Sequence, residues 1–304
     1  MKRIMTLSAA LVAGALVALP AVAAKSPYTA ASRLADGEVN QVVSDVESAL
    51  GEAGFEVVGS YHPMDMEGRA VVVATDDALL EAIEKRPTTT REGHTIPAAG
   101  LRIGVFQSEK GSVEISYVNP TYLYNAYFQD AYPEVKDEAR DAEQRLQDAL
   151  GGIGQEAGEA FGGEVEDLEH YHYMVFMPYF EDHIQLAEHD DFDAAVRTIR
   201  ANLNQGVGET APVYEVVMPE RKMAVFGVAM NDEHNGVPSW YPKLIQRHVA
   251  ALPYELYVVG GKAFMLHGRF RIALSWPELT MATFSNIMDA PGDTERTLRE
   301  VASD

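Results

Sequence analysis

No cysteine occurs among the 304 residues. That excludes disulfides, thiolate nucleophiles, iron–sulfur clusters and cysteine-ligated zinc, so any chemistry falls to other side chains. Basic residues are scarce: 24 Lys and Arg stand against 46 Asp and Glu, a net charge of −22. Such a surface repels phosphate backbones and anionic headgroups, which argues against nucleic acid as a partner. Membrane-length apolar runs are missing too. The stretch 5–19 is shorter than the roughly 20 residues a helix needs to cross a bilayer, and no later segment approaches that length. Nor is there a nucleophile elbow, a zinc-protease helix or a phosphate loop. Carboxylates are so numerous that no pair of them singles itself out, and no residue is assigned a catalytic role.

What the N-terminus does have is Lys2 and Arg3, the apolar stretch 5–19, and then Pro20, Ala21, Val22, Ala23 and Ala24. A charged end, a short apolar core and a small-residue exit form a secretory signal. Residues 1–24 are therefore read as a signal peptide, and the destination as periplasmic or secreted, with no membrane span left after cleavage. The mature chain keeps 22 basic and 46 acidic residues, a balance of −24, over about 280 residues, enough for two domains.

The mature sequence repeats an order of parts. Apolar residues at helical spacing over 38–53 precede strand-like runs at 55–61 and 70–75; Asp76 and Asp77 stand where a helix cap belongs. Two more strands follow at 101–106 and 112–117 around Lys110-Gly111, and Pro120 opens a helix. After residue 190 a helix marked by Val196, Ile199 and Leu203, strands at 213–217 and 223–230, a short helix at 240–248, and strands at 254–258 and 269–274 around Gly260-Gly261 give the same order. Pro277 then opens a final helix. A shift of 157 positions sets Gly111 on Gly268 and Pro120 on Pro277. One module is thus expected twice. Tight turns between neighbouring strands make each sheet mainly antiparallel. The expected fold is α+β: two tandem two-layer α/β modules, each with helices on one face of its sheet, over residues 25–132 and 169–304. Residues 133–168 between them read as a helical acidic connector followed by a glycine-rich loop, whose glycine spacing does not fit a dinucleotide loop.

The stretch Ala53-Gly54-Phe55 before a strand, SYVNPTYLYNAY at 116–127, YHYMVFMPYF at 171–180 and above all LHGRFRIALSWPELTM at 266–281 resemble exported bacterial proteins of the domain-of-unknown-function family three hundred and two. The resemblance spans most of the mature chain. It implies a small two-layer α/β fold, here in tandem, and a periplasmic location. It implies no established activity and so transfers no catalytic residue.

Candidate sites follow from residue type and spacing. His62, Met64 and Met66 put one imidazole and two thioethers within five positions, a donor set suited to copper; the same residues also suit a turn packed on a sheet edge. His170 and His172 would share one face of a strand, with His183 as a third ligand for zinc or copper, or they are solvated imidazoles. His267, Arg269 and Arg271 would grip an anionic ligand if 269–274 is a strand with both arginines on one face, the alternative being pairing with Glu255 across strands. Tyr122, Tyr124 and Trp240 would line an apolar pocket or fill the seam between modules. The leading expectation is a non-catalytic binding module for a small ligand or an envelope protein. Metal binding through the His and Met clusters, and an enzyme with no recognisable motif, stand as alternatives.

Overall fold

The computed structural model describes residues 25–304; the export signal read over 1–24 lies outside them. The first half runs β1 (Tyr28–Leu34), α1 (Val39–Glu52), β2 (Glu56–Tyr61), β3 (Arg69–Thr75), α2 (Asp77–Lys85), β4 (Leu101–Gln107), β5 (Val113–Val118), α3 (Pro120–Phe128), α4 (Lys136–Gly151) and β6 (Gln155–Phe161). The second runs β7 (Ile184–Glu188), α5 (Phe192–Gln205), β8 (Thr210–Met218), β9 (Met223–Met230), α6 (Val237–Trp240), β10 (Tyr254–Val259), β11 (Lys262–Met265), α7 (Gly268–Ser275), α8 (Met281–Phe284) and α9 (Ala290–Ala302). All strand pairings are antiparallel, in two sheets of order β2-β3-β4-β5-β1-β6 and β7-β11-β10-β9-β8. Reading the second sheet backwards gives the order of the first without β6. The fold is the α+β pair of modules that the pattern predicts.

Local chemistry explains the elements. The Asp76 carboxylate accepts the Leu79 N–H at 3.0 Å and starts α2, while Asp191 caps α5 in the same way at 2.7 Å. Val42, Val46 and Leu50 of α1, like Val196, Ile199 and Leu203 of α5, form the buried stripes that hold these helices on the outer faces of their sheets. On the first sheet that outer face carries Val72, Ile103, Val105 and Ile115, all fully buried.

The inner faces meet each other. The 3-10 segment Val249–Ala251 of the second half lies on β3, β4 and β5, while its counterpart Ile96–Ala98 of the first half lies on β9 and β10. Gly104 makes room for this exchange, since a Cβ there would fall 2.5 Å from Val249 Cγ1. At the sheet edges β2 packs on β8, where a Cβ on Gly59 would fall 2.1 Å from the Val213 carbonyl oxygen.

The structure corrects the sequence reading in several places: Pro277 stands in a turn ahead of α8 and opens no helix, and the helix expected over 240–248 is α6 followed by a 3-10 turn that ends at Lys243. Residues 269–274 lie in the helix α7, and the strand after Gly260-Gly261 is the short β11. The equivalence of the halves is accordingly a shift of 153 through β4/β10 and the two 3-10 segments, not 157, which would lay β5 on α7. The glycine-rich loop contains β6, which extends the first sheet at its β1 edge. Residues 171–180 form turns and bends instead of a strand.

Candidate functional site

At the centre of the seam, position 102 on β4 and position 255 on β10 occupy equivalent places in the two halves, and their side chains meet. Arg102 bonds Glu255, and Arg271 reaches the same carboxylate with Nε 3.1 Å from Oε2. Further donors bind carbonyls and a hydroxyl: Arg102 Nε the Ala250 carbonyl at 3.1 Å, and Arg271 the Ala251 carbonyl at 2.7 Å and Ser275. Burial alone would lower the Arg271 pKa, but the charge of Glu255 beside it carries it above the ordinary arginine value. The Tyr254 ring covers Arg271 at 5.3 Å. This group is closed to solvent and ties the halves together. Arg271 is therefore taken up in pairing with Glu255, on β10 beneath its helix.

Tyr122, Tyr124 and Trp240 are buried with it. Tyr122 donates to the Leu274 carbonyl at 2.9 Å, and Trp240 stands edge-on to Tyr254 and Trp276. None of the three lines the groove described below.

The proposed metal ligands go separate ways. His62 Nδ1 donates to the Arg69 carbonyl at 2.7 Å, Met64 packs on the core and Met66 faces solvent. His170 stands 3.2 Å from Asp167. His172 stacks on Tyr179 at 4.2 Å and donates Nε2 to the Met177 carbonyl at 2.7 Å. His183 faces His94 instead, with ring centroids 4.8 Å apart and Phe264 against both. Both Nδ1 atoms there are buried without a partner. Burial pushes the His94 pKa down to about 4 and that of His183 down as well; the neighbouring imidazole adds to the fall at His94. Among the described residues, no three His, Asp or Glu side chains come together as a metal site. His94 was not legible as a site residue, because its partner belongs to the other half of the chain.

An open groove of about 710 Å³ lies where α7 and α9 begin, walled by Ile184, the His234-Asn235 turn and Met288. His267 and Arg269 both line it. Arg269 and Arg271 would share a face in a strand, but two positions along a helix is about 200° of rotation, which sends Arg271 into the seam and Arg269 to solvent. Arg269 has no ion-pair partner among the described residues. His267 Nδ1 accepts the Arg269 backbone N–H at 3.2 Å. Burial first, then the Arg269 charge, lower the His267 pKa, so the ring is neutral at pH 7 and carries its proton on Nε2 as a free donor. Asp232 fixes the adjacent turn by accepting the backbone N–H groups of His234 and Asn235 at 2.7 and 2.8 Å. Arg296 is paired with Asp293 at 3.0 Å. The groove therefore offers an uncommitted guanidinium beside an imidazole donor, with the Asp289 carboxylate also in its lining, and that lining contains no hydroxyl or thiol nucleophile.

No family model matches the chain, and no curated protein matches it. Among solved structures it is similar to an uncharacterized conserved protein, DUF302, from Bacillus stearothermophilus, at 18% identity over 39% of this chain and 91% of that one, with a TM-score of 0.32.

Proposed function

We propose that this is an exported, non-catalytic binding protein, built by duplication of one α/β module, that takes a small anionic ligand in the groove at the starts of α7 and α9. The observation that carries the reading is Arg269, a guanidinium without a partner among the described residues in a chain with nearly twice as many acids as bases, set beside the His267 donor. A carboxylate or phosphate group binds this pair, and Asp289, which also lines the groove, accepts an ammonium or hydroxyl of the same ligand. Support for duplication is the shared strand order and the 153-residue equivalence that sets Arg102 against Glu255.

The test is native mass spectrometry of the mature protein purified from its own cell envelope, followed by calorimetric titration with inorganic phosphate and with succinate. An organic adduct, or saturable binding of either probe that weakens at least tenfold in Arg269→Ala, is expected. A protein without adduct that binds neither probe, or binds both equally well after the substitution, overturns the reading.

A further inference from the structure

A second surface stands next to the groove. Residues 170–180 contain no Lys, Arg, Asp or Glu in a chain where almost a quarter of residues are charged. Met174, Val175 and Phe176 at the tip of this loop are 41%, 71% and 96% exposed, and Met281 of the neighbouring α8 is 53% exposed. Phe176 has a φ of 72°, a left-handed conformation rare for aromatic residues, which turns its ring fully outward.

The loop is held out by its ends. Tyr171 donates to the Ala273 carbonyl at 2.8 Å and Tyr173 to that of Leu279. Phe180 stacks on Tyr127 at 5.0 Å and lies so close to Gly93 that a Cβ there would fall 2.4 Å from its ring. His172 braces the interior against Tyr179 and Met177. A turn from the Met174 carbonyl to the Met177 N–H at 3.0 Å closes the tip.

We propose that this loop docks the protein on a zwitterionic lipid bilayer, with Val175 and Phe176 inserted at the boundary between headgroups and acyl chains. Two observations favour a bilayer over a protein, and a third selects the kind of bilayer. The chemistry is layered along the chain on both sides of the tip: apolar residues 174–176, then Tyr173 and Tyr179, then the charged Glu169, Glu181 and Asp182, an order that matches the environments met on leaving a membrane. The tip offers only a few exposed side chains, far short of the roughly 1,200 Å² that a specific protein interface buries. Its lack of charge, in a molecule of net charge −22, suits an uncharged headgroup layer and disfavours an anionic one. The docking is peripheral, since no helix among the described residues is long and apolar enough to cross a membrane.

The test is flotation of the mature protein with phosphatidylcholine vesicles, in parallel with vesicles containing phosphatidylglycerol, at low salt. Flotation with phosphatidylcholine is expected, weaker with the anionic vesicles, and reduced at least tenfold by Phe176→Asp but unchanged by Met66→Asp and by Arg269→Ala, which separates this surface from the groove. A Phe176→Trp variant keeps the test independent of any folding defect: its indole emission shifts to the blue on vesicles and is quenched by brominated lipid. No flotation, flotation indifferent to Phe176→Asp, or a Phe176-dependent dimer in sedimentation without vesicle binding overturns the proposal.

Discussion

Substituting the charges in the seam in turn tests whether the Arg102–Glu255–Arg271 group joins the halves. All three side chains are at most 4% exposed, and two guanidinium charges share one carboxylate. Glu255→Gln leaves both cations buried with no counter-charge. Breaking a buried pair from one side costs about 3–5 kcal/mol, and here two pairs break at once, so the expected loss is at the upper end. Arg102→Met removes one cation and leaves Arg271 and Glu255 as a neutral pair; its cost is the unpaired Ala250 carbonyl and lost packing, about 1–3 kcal/mol. The order of the two is the prediction: Glu255→Gln should be more damaging than Arg102→Met by about 2 kcal/mol, although it changes fewer atoms. Urea unfolding followed by circular dichroism measures both, with one transition expected because the halves share a core. Equal losses, a reversed order, or a loss below about 1 kcal/mol for Glu255→Gln would refute the reasoning.

Acid should destabilise the protein through His94 and His183. Their folded pKa values lie below the unfolded value of 6.5, at about 4 for His94, so the unfolded chain binds more protons between these limits. The contribution is complete above pH 6.5 and is lost as pH falls toward 4; His94→Gln should flatten the stability–pH curve in that window, read by thermal melts. Gly59→Ala places a Cβ 2.1 Å from the Val213 oxygen and should cost about 1–3 kcal/mol. Gly51→Ala in α1 meets nothing within 4 Å and should stabilise by about 0.4–1 kcal/mol, both by urea titration. Phe176→Asp, at a fully exposed position, should change unfolding stability by less than about 0.5 kcal/mol in the same assay.

Much of the fold was legible because its elements carry their own signals. Val42, Val46 and Leu50 announce α1, Asp76 marks the cap of α2, and Pro120 stands at the first turn of α3. The misread segment, Arg269-Phe270-Arg271-Ile272, alternates polar and apolar residues as a strand does. The alternation misleads because Arg271 is buried as fully as Phe270, satisfied by a carboxylate and carbonyls that no local pattern shows. The strands β1, β6 and β7 carry no β-branched run that marks them; their sequences, YTAASRL, QEAGEAF and IQLAE, form strands because neighbours supply the ladder. His267 and Arg269 were visible as residue types. Their place together in one groove required the helical turn that also sends Arg271 away.

The exchange of the two 3-10 segments has a consequence for biosynthesis. The inner face of the first sheet waits for Val249–Ala251, and Arg102 waits for Glu255. A chain made from its N-terminus at about 5–20 residues per second leaves β3 and β4 half covered for on the order of ten seconds after β5 is complete. During that interval the first half presents an unfinished surface with two guanidinium-binding partners still unmade. A growing chain of this design benefits from being kept extended by a carrier until its last third has emerged, and a fragment ending at the connector should aggregate where the whole chain folds.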